Sequence, residues 1–527
     1  MAGRVMVIGW DGATWDLLDK LMAEGAMPNL SALVARSARS RMDSVVPPVT
    51  GPAWVSMATG VNPGRHSCYD FNKPNPQTGE LVPIQSFDIA EKTFYEVLEE
   101  RGRKTILVNL PVSFPPLTSQ ITLTSLMTVG DNAVFPESLK DKHPELKGYR
   151  VFPDINLRFQ SRIAEYIKDI RAVEAARMAC VRVLLHEPWD CFFVVFSGSD
   201  WVSHELFPAL MEGGEGRQQA VEAFSELDEY LGEILSHLDD QDHVLLVSDH
   251  GFCSVRGALF INELLARWRE LAINYSPGKN IASVQAEKRL QEQAWQGSFP
   301  PWKARIADVL WKTWGLTFLF RALRKLIPID WPHQFGVDAK GSRFYMPTTA
   351  SRGLRGVGVT PGQVEALRSK LAGLKDPEGK PVLDYIVPRE EVYTGPYVQE
   401  APELLFGSYR WELESAIRSF KRKVFVDKSM GAHHKEGVLL LSGPAVEVGA
   451  GGGPKPNLLQ VAPLIYYLLG EPIPQGLDGA LPDRFLKTSW REAKPPRYIP
   501  VTAPERQRRD FEASDIQDRL RTLGYME

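Results

Sequence analysis

An apolar run in VLLVSDHGF ends in Asp249 and His250, just before Gly251. Alone, such a pair reads as a turn. Four other segments carry similar residue types: Asp11 in VMVIGWDG, Thr50 in PPVTGPAW, Asp200 and His204 in FFVVFSGSDWVSH, and the histidines of MGAHHKEGVLLLSGP. Aspartate oxygens and imidazole nitrogens suit zinc, and also manganese or iron. Asp200 and His204 are spaced i, i+4, so on a helix they share a face and can bind one ion. Asp249 and His250 diverge on a regular strand, but at a strand end both can turn into a site. His433 and His434 compete for one ligand role, and spacing does not separate them. Three carboxylates and a Thr50 alkoxide make four negative charges, which two divalent ions balance. Such a pair of ions, about 4 Å apart, suits in-line phosphoryl transfer.

Thr50 is the candidate nucleophile. Gly51-Pro52 and the helical AWVSMATG follow it. Proline favours the first turn of a helix, so Thr50 falls at or beside an N-cap, where free N–H groups can face a phosphate. The plain alternative is that Thr50 is a cap and nothing more. Trp10, Trp54 and Trp201 lie next to, or four residues from, three of these residues. Their indoles are candidates for an apolar or stacking wall around a leaving group, with core packing an equal alternative.

The elements that must position these residues are also readable. RVMVIGW, RKTILVNLPV, CFFVVFSGSD, HVLLVSDHG and GVLLLSGP are short apolar runs bounded by turn residues, as expected of strands buried on both faces. PNLSALVARSA and TFYEVLEERG are helical stretches between them. Strands alternating with helices predict an α/β sheet with right-handed crossovers. Asp11, Asp200 and Asp249 then fall at or just beyond C-terminal strand ends, with His204 on the following helix, where open α/β sheets place ligands. His433 is expected on a loop preceding its strand.

The chain has 527 residues, 44% of them hydrophobic, enough for a large core. A net charge of −4 gives no basic face for stable nucleic-acid binding. Cys68, Cys180, Cys191 and Cys253 show no paired spacing, which predicts reduced thiols and a cytoplasmic protein. No secretory signal is expected ahead of the first strand, and no apolar run approaches a membrane span. Residues 302–331 are Trp-rich, basic and apolar. We read them as a cap helix on the core, with peripheral membrane contact as the alternative. The expected organisation is a catalytic core over 1–265 and 336–480, an inserted cap over 266–335 and a polar C-terminal tail over 481–527.

GWDGATWD with MPNLSALV, PPVTGPAWVSMATGVNPGRH, SDWVSH, SDHGF and GAHHKEGVLLLSGP together resemble the alkaline phosphatase superfamily, and within it the type I phosphodiesterase/nucleotide pyrophosphatase family. The resemblance implies a three-layer αβα sandwich around a mostly parallel sheet. It implies two divalent ions, usually zinc. Asp11, Thr50, Asp249 and His250 would hold one. Asp200, His204 and His433 would hold the other, His433 being chosen over His434. Thr50 would form a covalent phospho- or nucleotidyl-threonine that water later hydrolyses. Asn72, in RHSCYDFNKP, stands near the family's phosphate-contacting asparagine. Thr50 has Pro52 but Trp54 after it, which departs from the sulfatase pattern, and no arginine matches the one that grips phosphate in alkaline phosphatases proper. The expected substrate is a small phosphodiester or nucleotide-like molecule. A phosphomonoesterase or phosphotransferase of the same superfamily is the alternative enzyme. A non-catalytic, membrane-peripheral binding protein that keeps the fold is the alternative of another class.

Overall fold

The computed structural model describes residues 3–74, 81–128, 132–271, 273–274, 336–337, 343–415, 424–504 and 506. The 302–331 segment and the tail beyond 506 lie outside the described residues. Among those described, no helix is long and apolar enough to cross a membrane.

The strands that matter here are, in chain order, β1 Val5–Trp10, β2 Ala38–Asp43, β3 Thr105–Val108, β4 Ile121–Leu123, β5 Val134–Phe135, β6 Cys191–Phe196, β7 His243–Val247, β8 Gly251–Phe260, β9 Trp411–Glu414, β10 Phe425–His434 and β11 Glu436–Ser442. The main sheet has eight strands, ordered β2-β11-β7-β1-β6-β3-β4-β5. From β7 through β4 its neighbours run parallel, while β11 and β2 on one edge and β5 on the other pair antiparallel. Every residue of β1, β6 and β7 is buried, as their unbroken apolar runs require.

Side chains alternate between two cores. Met6, Ile8 and Trp10 face one, with the long helices α2 (Ile163–Leu184) and α4 (Arg217–Ser236). Val5 and Val7 face the other, with α1 (Thr50–Thr59) and the helix Val461–Leu468. The result is the expected αβα sandwich.

Residues 343–415 add strands outside the main sheet. Phe344–Tyr345, Gly353–Gly356, Leu404–Gly407 and Tyr385–Pro388 form a separate four-stranded sheet. It has its own apolar cluster around Phe344, Leu354, Phe406 and Trp411. These strands are only two to four residues long, too short to reveal on which sheet they pair. β9, β8 and β10 form a three-stranded sheet in that order, and the chain rejoins the main sheet at β11.

Candidate metal centre

Register explains the convergence. Gly9 lies opposite both Val195 and Val247, and Trp10 opposite Phe196, so β1, β6 and β7 end on the same edge. Asp11 follows β1 directly, Asp249 follows β7 by two residues, and Asp200 enters the first turn of α3 (Gly198–Glu212) after β6. Gly12 then turns with φ +66, and a Cβ there would lie 2.5 Å from the Phe252 ring. Its N–H donates to Asp249 Oδ1 at 3.2 Å, tying the β1 turn to the β7 turn.

His250 sits where these turns meet. Its Nε2 is 3.3 Å from Asp249 Oδ2, 3.7 Å from Asp11 Oδ1 and 4.0 Å from Asp200 Oδ1. Its Nδ1–H donates to the Gly251 carbonyl at 3.1 Å. That bond leaves Nε2 as the free ligand atom, and the Thr50 hydroxyl donates to it at 3.2 Å. Thr50 is the first residue of α1 rather than its cap, which is Val49, and it is fully buried.

A second group forms around Asp200 Oδ1. His204 Nε2 stands 3.5 Å from it and His433 Nε2 3.4 Å, and the two imidazole nitrogens are 3.0 Å apart. His433 Nδ1–H donates to the Pro48 carbonyl at 2.9 Å, so its Nε2 too is left free, and the ligand is fastened to the loop before Thr50. His433 lies within β10, paired opposite Phe252 of β8, and not on a loop as expected. The polar DKS run of that strand, Asp427 to Ser429, hides it, since backbone pairing and not an apolar run defines it. At Gly431 a Cβ would meet the Ser203 carbonyl at 2.0 Å. This close approach brings β10 onto α3. His434 points elsewhere, against Tyr409 at 4.3 Å.

The seven predicted residues thus meet in two overlapping sets, Asp11–Asp200–His250 and Asp200–His204–His433, with Asp249 and Thr50 against the first. Phe252, which the sequence reading did not single out, packs among His204, His250 and His433 at 5.0 to 5.9 Å.

Electrostatics favours cations here. Burial, then the like charges of Asp249 and Asp200, push the Asp11 carboxyl well above the usual carboxylate range, weakly opposed by the Trp54 indole N–H. Burial pushes Asp249 up to about 7. Burial lowers His204 and His433 to about 3, and His250 well below its ordinary value, so all three are neutral donors near neutral pH. Asp11 Oδ1 and Asp249 Oδ2 are buried without a hydrogen-bond partner among the described residues, and neither carboxylate pairs with a lysine or arginine there. Unpaired buried acceptors beside neutral imidazoles are the donor set that divalent metals take.

The remaining predicted residues fall in two places. Asn72 is buried beside Phe71, whose ring lies 3.1 Å from where a Gly51 Cβ would stand. Neither polar atom of its amide has a partner among the described residues. The three indoles pack within the hydrophobic cores. Trp10 and Trp54 have no exposed surface. Trp54 packs edge-on to Phe193 and fills the space over Gly9, while Trp201 lies over the Arg177 guanidinium.

The type I phosphodiesterase / nucleotide pyrophosphatase family matches residues 5–297. No curated protein matches the sequence. Among solved structures, phosphonoacetate hydrolase from Sinorhizobium meliloti 1021, in complex with phosphonoformate, is similar with a TM-score of 0.55 and 15% identity. The match covers 89% of this chain and 95% of that one. Murine ectonucleotide pyrophosphatase / phosphodiesterase 5 is similar with a TM-score of 0.51 and 13% identity, covering 92% of this chain and all of that one. At these identities the likeness establishes the alkaline-phosphatase-like fold. With more than half its length matched, the chain belongs to the type I phosphodiesterase / nucleotide pyrophosphatase family, a family of metal-dependent phosphohydrolases.

Proposed function

We propose that this protein hydrolyses a small phosphodiester or pyrophosphate through a covalent Thr50 intermediate, on two divalent ions, with zinc the first candidate. The observation that carries the reading is the position of Thr50. It opens a buried helix, with its Oγ1 3.2 Å from the free Nε2 of His250 and its loop fastened to His433. Bound ions would neutralise the three carboxylates, favour ionisation of the Thr50 hydroxyl and balance charge on the phosphoryl oxygens.

The chain's own residues do the rest. His250, with its Nδ1 proton committed to Gly251, presents no proton to quench the nucleophile. The N-terminal N–H groups of α1 would be available to a phosphoryl group attacked by Thr50. Thr50 Oγ1, its proton lost to solvent, attacks phosphorus as the bond to the leaving-group oxygen breaks, and that oxygen takes a proton from solvent. Water then attacks the phosphorus and gives up a proton to solvent, and Thr50 leaves and is reprotonated. The Asn72 amide, unpartnered among the described residues, is the candidate to contact a phosphoryl oxygen.

A diester is favoured over a monoester. The buried Arg352, whose charge is felt at His250 and His433, is engaged by Glu412 at 2.6 Å and is not a bare cation for a doubly charged monoester. Purified protein with Zn²⁺ or Mn²⁺ should cleave bis-p-nitrophenyl phosphate in preference to p-nitrophenyl phosphate. Activity unchanged in Thr50→Ala would reject the covalent route, and no activity with any metal would favour a non-catalytic role.

A further inference from the structure

We propose that Glu174 is a positioning residue for the metal ligands: from α2, its carboxylate grips the first turn of α3 and so sets where Asp200 and His204 stand. This inference rests on the metal-site reading above. Glu174 Oε1 accepts the Gly198 N–H at 2.6 Å, two residues before Asp200. The fit leaves no slack, since a Cβ on Gly198 would come within 2.8 Å of Glu174 Cγ. Arg177, one turn along α2 and fully buried, pairs with the other carboxylate oxygen. Its guanidinium also lies 6.0 Å from the ring centroid of Trp201, the residue after Asp200. The pair therefore brackets Asp200, holding the backbone ahead of it and the indole behind it.

Neighbouring bonds brace the same turn. Asn109 Nδ2 donates to the Val195 carbonyl at 2.9 Å and to Ser197 Oγ at 3.0 Å, fixing the end of β6. Ser199 Oγ donates to the Asp11 carbonyl at 2.7 Å, linking this turn to the other metal half. A buried ion pair is poor value as a stabiliser, because an apolar pair of the same size often does as well or better. What an apolar pair cannot supply is an acceptor for the Gly198 N–H. Placed under the one ligand, Asp200, that belongs to both metal groups, that acceptor orients the ligands as an outer-shell partner does. Burial raises the Glu174 carboxyl and Arg177 opposes the rise, so the pair also keeps an acceptor at this depth.

The test compares two double variants of the full chain. Both remove the charge pair and keep the volume, and they differ only in the acceptor: Glu174→Gln/Arg177→Met and Glu174→Met/Arg177→Met. Zinc affinity is measured by chelator competition and zinc content by elemental analysis, beside the thermal melting of each metal-free protein. The glutamine variant should bind zinc within about threefold of wild type, while the methionine variant loses about 10- to 100-fold. The weaker of its two ions should leave first. If the methionine variant does not fold, Glu174→Asp, which withdraws the carboxylate by one methylene, should show a smaller loss in the same direction. Wild-type zinc binding in the methionine variant, or equal losses in both, would overturn the inference. A wild type that binds no zinc would overturn the metal-site reading beneath it, and the inference with it.

Discussion

The two halves of the metal centre are built differently. Asp11, Asp249 and His250 stand on turns after neighbouring parallel strands, all within 2% of full burial, with the Gly12 N–H and the Gly251 carbonyl fixing their orientation. Asp200, His204 and His433 come from a helix and an antiparallel strand brought together by packing, and the His204 side chain is 23% exposed. The inner half is as rigid as the sheet. The outer half depends on how α3 and β10 are held, and His204 is its one partly exposed member. The first set is thus positioned by turns of the sheet itself, and the second by packing between a helix and a strand.

Breaking the inner half should have the largest effect. Thr50→Ala should lower kcat for bis-p-nitrophenyl phosphate by about 10³-fold or more while leaving the metal-free melting temperature nearly unchanged. Asp249→Ala should lose one ion and activity together, a cost of several kcal/mol in the transition state, or about 10³-fold in rate. His204→Ala, in the outer half, should lose the other ion but retain more activity, about 10²-fold below wild type, and excess metal should restore part of it. Equal losses from Asp249→Ala and His204→Ala, neither recovered by added metal, would erase the distinction between the halves.

Acid should separate the halves more gently. Asp249 titrates near 7 without metal, whereas His204 and His433 stay neutral down to about 3. Asp11 and Asp249 titrate as a pair with both carboxyls raised by burial, so metal binding to the inner half must displace at least one proton, and its affinity should fall by about tenfold or more per pH unit as pH drops. The sign for stability is opposite. A carboxyl with a raised folded pKa stabilises the metal-free protein at low pH and loses that contribution as pH rises through about 7. The buried neutral histidines would lose their contribution only as pH falls below their ordinary 6.5. Metal-free protein should thus melt lower at pH 8 than at pH 6.5, and loaded protein should not. Calorimetry at the two pH values checks both statements.

The smallest expected effect concerns the indoles. Trp201→Phe should cost about 1–3 kcal/mol of stability by leaving a gap in the core. It should leave KM for aryl diesters unchanged, and a raised KM would return the indole to the substrate's surroundings.

Much of the inner half was legible in the sequence, because its signals are local. VMVIGW and HVLLV are largely apolar runs, and Asp11, Asp249 and His250 follow within three residues. The outer half was legible in residue type but not in setting. His433 sits in a strand whose outward residues are Asp427, Lys428 and Ser429, so no hydrophobic period marks it. Choosing it over His434 required the motif's resemblance, and the geometry gives the reason in its bond to Pro48. The separate sheet of residues 344–407 was missed because strands of two to four residues carry no pairing information. Glu174 was invisible for another reason: a glutamate in a helix looks like a solvated one until the fold buries it. Conversely, the indoles stood out in the sequence through proximity to the candidate ligands, yet Trp10 ends its strand with its side chain in the core, while Asp11 on the following turn joins the carboxylate and imidazole group.

The most direct test of the two-half centre is a crystal structure of the zinc-loaded protein with anomalous scattering at the zinc edge. Two peaks are predicted, one among Asp11, Thr50, Asp249 and His250, the other among Asp200, His204 and His433. A single peak, or zinc bound away from Thr50, would contradict the account.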